Sequence, residues 1–149
     1  MAPEPNLSLS EAMDVSATTG TAAVQARKPS AQILVVDDSA VQRHFLVDLL
    51  RRQGFDVRTA EDGLQAIARV RMHRPALIVM DVVMPGANGF QVTRALSRDP
   101  ETRDIPVILC TTKDAETDRI WGLRQGARAY VTKPVDGREL LARITELLQ

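Results

Sequence analysis

The chain has 149 residues, room for one domain of ordinary size, and an apolar fraction of 44% that can fill a real core. Its formal net charge is zero, which argues against a nucleic-acid partner, and no apolar run approaches the ~20 residues needed to cross a bilayer. One cysteine excludes an internal disulfide, and the N-terminus lacks the basic start and apolar middle of a signal peptide, so a cytoplasmic protein without a membrane partner is expected.

Residues 1–30 are rich in Pro, Ser, Thr and Ala and hold no aromatic residue. Such a stretch cannot bury enough apolar surface to offset its ordering entropy, and a disordered N-terminal extension is expected. The pattern changes at Ala31, where a domain spanning 31–149 begins. Ile33–Val36 is a continuous β-branched and aliphatic run, as in a strand buried on both faces. Asp38 or Ser39 is placed to cap the helix that follows, with Val41, Phe45, Leu46, Leu49 and Leu50 at helical spacing and Gly54 as its stop.

Asp56–Ala60 reads as a second strand, and Asp62 caps a second helix carrying Leu64, Ile67 and Val70. Ala76–Met80 is a third strand, Met84–Gly89 a loop by its turn chemistry, and Phe90–Ser97 a third helix. Ile105–Cys110 is a fourth strand and Ala115 to Gln125 a fourth helix, ended by Gly126. Arg128–Val131 is a fifth strand, and a last helix runs from Asp136 through Leu140, Leu141, Ile144, Leu147 and Leu148. Five strand–helix repeats imply a parallel sheet with helices on both faces.

In such a sheet, function gathers outside the carboxyl ends of the strands. Asp37 and Asp38 follow the first strand, Asp81 the third, Thr111 and Thr112 end the fourth, and Lys133-Pro134 follows the fifth. Crowded carboxylates repel one another, and a hard divalent cation removes that problem. Mg²⁺ fits best, because it takes oxygen ligands and keeps waters that a phosphoryl oxygen can replace. No His or Cys cluster suggests zinc, and no glycine-rich nucleotide fingerprint is present, so no organic cofactor is expected. A carboxylate beside such a cation can attack phosphorus and become an aspartyl phosphate. Lys133 can then meet one phosphoryl oxygen and the Thr111 hydroxyl another. Lys133 stands out in a chain with 16 Arg and three Lys, since it is a compact ammonium where the default cation is a planar fork.

The runs Ile33-Leu34-Val35-Val36-Asp37-Asp38-Ser39, Met80-Asp81-Val82-Val83-Met84-Pro85-Gly86, Pro106–Thr111 and Lys133-Pro134 resemble the CheY-like response-regulator receivers of two-component systems. The resemblance covers residues 31–149. It implies a flavodoxin-like, doubly wound (βα)5 sheet with strand order 2-1-3-4-5. It implies Asp81 as phosphoacceptor, Asp38 as a direct Mg²⁺ ligand, Asp37 assisting partly through water, and the backbone carbonyl of Val83 completing the set. Thr111 and Lys133 would contact the phosphoryl group, Tyr130 would be the switch aromatic, and the Lys133–Pro134 bond would be cis.

Thr111–Asp118, Trp121-Gly122 and Arg124–Arg128 are further similar to the stand-alone regulators of type IV pilus twitching motility, the PilH group. Those work in chemotaxis-like phosphorelays with a large histidine kinase. The function implied is a single-domain response regulator, not an enzyme in the ordinary sense, that assists its own phosphorylation and autodephosphorylation. Its donor would be a histidine kinase and its output a protein partner at the helix 4–strand 5–helix 5 face.

Two alternatives stay open: a phosphate sink for a shared kinase, and a phosphorylation-independent adaptor. A haloacid-dehalogenase-type phosphatase is disfavoured, since it wants Asp-x-Asp on the first strand and the pair here is adjacent. Val83 lacks a side chain that could orient an attacking water, which points to an effect on phosphoryl lifetime. Trp121 is a candidate for the output surface or for packing. Cys110 reads as a packed core thiol, His44 and His73 lack partners at metal spacing, and Arg51, Arg52, Arg69, Arg71 and Arg74 read as solvated helix faces.

Overall fold

The computed structural model describes residues 30–149, so the expected extension over 1–30 lies outside the described residues but for Ser30. Strand and helix alternate throughout: β1 (Gln32–Val36), α1 (Ala40–Arg52), β2 (Asp56–Ala60), α2 (Gly63–His73), β3 (Leu77–Met80), α3 (Gly89–Arg98), β4 (Val107–Thr111), α4 (Glu116–Arg124), β5 (Ala129–Thr132) and α5 (Gly137–Leu147). The five strands form one parallel sheet in the order β2-β1-β3-β4-β5.

Successive residues of a strand point to opposite faces, and here both faces are apolar. Ile33, Val35, Val79, Ile108 and Cys110 pack with Leu46 and Leu50 of α1 and Leu140 and Ile144 of α5. Leu34, Val36, Ile78, Met80 and Leu109 pack with Ala66 and Val70 of α2 and Phe90, Val92 and Leu96 of α3. Each fully buried Leu or Ile contributes about 1.5–3 kcal/mol relative to its exposed state.

Local signals set most helix ends. Ser39, Asp62, Asn88 and Asp136 each accept a first-turn N–H through the side chain, and Asn88 forms a reciprocal capping box with Gln91. Gly54 follows α1 with a φ of 92°, a conformation that favours glycine.

Several boundaries differ from the sequence reading. β4 begins at Val107 rather than Ile105, because Pro106 has no N–H to give and the Ile105 N–H turns back to the Thr102 carbonyl at 3.0 Å. β4 and β5 each run one residue further, where Thr111 pairs with Thr132. Of the apolar residues expected on α1, Leu46 and Leu50 are buried while Val41 and Phe45 are exposed, because a helix buries only one stripe. Leu64 of α2 is exposed for the same reason. Some arginines do more than solvate a face. Arg51 donates to the Val57 carbonyl at 3.2 Å, Arg74 to that of Glu101 at 2.9 Å, and Arg71 pairs with Asp99 at 3.4 Å.

The strand order places the site. From β1 the chain turns through α1 to β2 at one edge, then crosses back through α2 to β3 on the other side of β1. The loops leaving β1 and β3 therefore diverge and open a crevice at the carboxyl end of the sheet.

Candidate functional site

That crevice is lined by Asp37 and Asp38, just beyond β1, and Asp81, just beyond β3. One carboxylate oxygen from each lies within 4.8 Å of the others. Asp37 and Asp81 are buried, whereas Asp38 is exposed at the rim.

Asp37 is held at every polar atom. Its N–H donates to the Ala60 carbonyl at 3.1 Å, its Oδ1 accepts the Ser39 N–H at 2.9 Å, and its Oδ2 accepts Lys133 Nζ at 2.7 Å. Its carbonyl accepts the Arg43 guanidinium at 2.7 Å. Asp81 is fixed as firmly. Its Oδ1 accepts the N–H groups of Val82 at 2.7 Å and Val83 at 3.2 Å, and its Oδ2 accepts Lys133 Nζ at 3.2 Å.

Lys133 thus bridges two acids that arrive from different strands, and its side chain is 7% exposed. Burial works against the ammonium charge, but the bond to Asp37 and the charges of Asp81 and Asp37 outweigh it, and the pKa lies above the ordinary lysine value. The Lys133–Pro134 peptide is cis, as the resemblance implied. The Lys133 N–H donates to the Thr111 carbonyl at 2.8 Å, which joins β5 to β4 beside the site.

Thr111 is fully buried at the end of β4. Its Oγ1 accepts the Lys113 N–H at 3.3 Å, and among the described residues it makes no hydrogen bond to the acids. Tyr130 of β5 lies inward, with its hydroxyl donating to the Lys113 carbonyl at 2.7 Å. Burial, then the charge of Asp118, pushes its pKa up to about 12. Cys110 is a packed thiol, pushed up to about 12 by burial, and does not join the site. His44 and His73 stay outside the acidic group.

Two glycines that the sequence reading treated as turn or helix residues shape the site. A Cβ on Gly89 would overlap the Asp81 carbonyl oxygen and lie 2.8 Å from Val82 Cα, so α3 starts directly against the Asp81 backbone. The capping signature Asn88-x-x-Gln91 was the available signal for that start. A Cβ on Gly122 would lie 2.9 Å from Leu109 and 3.1 Å from the Tyr130 ring, so glycine lets α4 lie flat over the tyrosine.

The donor set suits a hard divalent cation. All the donors are carboxylate oxygens, and with Lys133 as the only bridging cation among the described residues two negative charges remain uncompensated. Beside the acids, Val83 is 55% exposed and Trp121 48% exposed, and both line an open cleft of about 470 Å³ with Met84, Phe90, Lys113 and Asp118. Among the described residues no helix is long and apolar enough to cross a membrane.

Comparison with known proteins gives the family and the fold. The family described as response regulator receiver domain matches residues 33–145. Protein PilH of Pseudomonas aeruginosa is 52% identical over 118 residues, 79% of this chain and 98% of that protein. Response regulator PleD of Caulobacter vibrioides is 46% identical over 118 residues, which cover 26% of its length. Among solved structures, the Vibrio cholerae chemotaxis protein CheY4 superposes with a TM-score of 0.76 at 30% identity, covering 80% of this chain and 100% of that one.

Proposed function

The chain belongs to the response-regulator receiver family, whose members are phosphoacceptors rather than classical enzymes, and on that premise we propose that Asp81 takes the phosphoryl group from a histidine kinase. One observation carries this reading: Asp37, Asp38, Asp81 and Lys133 converge in one crevice from three strand ends. The bond from phosphorus to the donor imidazole breaks and a bond from phosphorus to an Asp81 carboxylate oxygen forms, the imidazole leaving with a proton from solvent.

Receivers bind Mg²⁺ through acidic residues, and here Asp37, Asp38, Asp81 and the backbone carbonyl of Val83 would hold it. When bound, that ion neutralises charge on the transferring phosphoryl group. Lys133 supplies the second counter-charge from a position already fixed between the acids. Thr111 supplies a hydroxyl proton, since its oxygen already accepts from Lys113.

The switch arises from the same contacts. Tyr130 lies inward with its hydroxyl on the Lys113 carbonyl, and the Lys113 N–H sits on Thr111, so the aromatic ring is coupled to the phosphoryl-contacting threonine through one loop. Thr111 drawn toward the phosphoryl group would loosen the Thr111–Lys113 loop, whose Lys113 carbonyl anchors Tyr130. The output face is α4, β5 and α5. There the exposed Leu123 lines a recess with Arg119, Arg128, Arg143 and Glu146, a net-basic chemistry suited to an acidic amphipathic segment of a partner protein.

The resemblance to twitching-motility regulators, together with the identity to PilH over nearly all of that protein, supports a cytoplasmic role in type IV pilus or chemotaxis-like signalling. A phosphate sink is the alternative reading: a sink drains its kinase by rapid turnover, whereas the exposed, apolar Val83 offers no side chain to orient an attacking water and speaks for slow turnover, so the phosphoryl half-life decides between the two. The test is incubation with acetyl phosphate and MgCl₂ followed by intact-mass measurement. The parent gains one phosphoryl group and Asp81→Asn gains none, and persistent labelling of Asp81→Asn would overturn the assignment.

A further inference from the structure

Arg43 lies on the first turn and a half of α1, with no part in the receiver chemistry described above. Its side chain is 18% exposed, and its guanidinium faces the back of the acidic loop rather than solvent. Nη1 donates to the Asp37 carbonyl at 2.7 Å, and Nη2 lies 3.8 Å from Glu61 in the loop after β2. Arg43 therefore clamps the loop after β1 to the loop after β2.

The clamp acts at a sensitive point. Asp38 makes no side-chain hydrogen bond among the described residues, so the peptides on either side of it set where its carboxylate points. On the C-terminal side, Ser39 N–H is held by Asp37 Oδ1. On the N-terminal side, the Asp37 carbonyl, the start of the peptide that carries the Asp38 nitrogen, is held by Arg43. Groups that orient metal ligands govern affinity nearly as strongly as the ligands themselves.

We propose that Arg43 is a positioning residue for the divalent cation: by gripping the Asp37 carbonyl and pairing with Glu61 it holds Asp38 in its ligating orientation. This rests on the reading of Asp38 as a metal ligand. Simple electrostatics predicts the opposite sign. A cation near an acidic cluster repels Mg²⁺, so if Arg43 acts only through its charge, removing it tightens binding. If it acts by orienting the loop, removing it weakens binding.

The experiment measures Mg²⁺ affinity by isothermal titration calorimetry on the full chain, with no phosphodonor present. Arg43→Met, which keeps most of the stem's bulk, is expected to weaken Mg²⁺ binding by about tenfold or more. Binding tighter than the parent's, or weaker by less than about tenfold, overturns the proposal, because loss of an orienting partner costs about 10–100-fold. Urea unfolding in EDTA checks that the variant is folded. Should Arg43→Met not fold, Arg43→Lys carries the test under the same criterion, since a lone ammonium keeps the charge but cannot fork to both partners. Asp38→Ala separates the ligand from the residue that positions it: Mg²⁺ affinity unchanged in Asp38→Ala defeats the ligand reading itself. Loss there with retention in Arg43→Met defeats only the role of Arg43.

Discussion

Replacing Lys133 by Met keeps the apolar stem and removes the ammonium, with two opposing effects on stability. The variant recovers the several kcal/mol spent in taking an ammonium out of water. It also strands two buried carboxylates, which share this cation at 2.7 and 3.2 Å. The raised pKa of Lys133 settles the sign: despite burial, the charged form is better stabilised in the fold than in water. Removing one partner of such a buried group costs about 3–5 kcal/mol, a large share of the roughly 5–15 kcal/mol that holds a domain together. With a urea slope of about 1–3 kcal/mol per molar, the unfolding midpoint in EDTA should fall by about 1–5 M.

Millimolar MgCl₂ should restore part of the loss, since three acids without their ammonium attract a divalent cation more strongly and binding to the folded state adds stability. The stability due to Lys133 is complete below the unfolded lysine pKa and disappears as pH rises through the higher folded value. The gap between parent and variant should therefore be flat at neutral pH and, on the alkaline side, close above about pH 10.4. A Lys133→Met protein within about 1 kcal/mol of the parent in EDTA would contradict this balance, because the cost of stranding the acids would then be absent.

Three other outcomes are expected. Val83→Asn should shorten the phosphoryl half-life by about tenfold, about 1.4 kcal/mol in barrier, measured by loss of label after donor removal; a half-life equal to the parent's would remove Val83 from the control of lifetime. Gly89→Ala gains about 0.5–1 kcal/mol of helix propensity, but forcing a Cβ into the Asp81 backbone costs about 1–3 kcal/mol or more, so it should unfold at lower urea than the parent, and equal stability would contradict the close approach. Tyr130 is the chain's one tyrosine, so ultraviolet titration reads it directly. With its pKa pushed up to about 12, its contribution to stability is full below about pH 10 and is lost as pH rises toward 12. Reversible ionisation of the native protein at the ordinary tyrosine value would show that the ring is not held inward.

The order of elements was legible in the residues because its causes are local. Ile33–Val36 carries the signature of a strand buried on both faces, Asp62 and Asp136 announce helix starts, and Gly54 announces an end. Once five strand–helix units were recognised, the rule that function sits at strand ends named Asp37, Asp38, Asp81, Thr111 and Lys133 without coordinates. What pairs with what was a different matter. Lys133 meets Asp37 across 96 positions and Asp81 across 52, and no periodicity encodes which oxygen each acid gives it. The inward Tyr130, held by a carbonyl 17 residues away and roofed by Gly122, is likewise a product of packing. So is half of the grip of Arg43 on the acidic loop: its bond to the Asp37 carbonyl is local, six residues back, but only the pairing of β1 with β2 brings Glu61 within its reach. Local propensity and patterning fix the elements and the residues at their ends, whereas the contacts that orient those residues exist only after distant segments of the chain have packed.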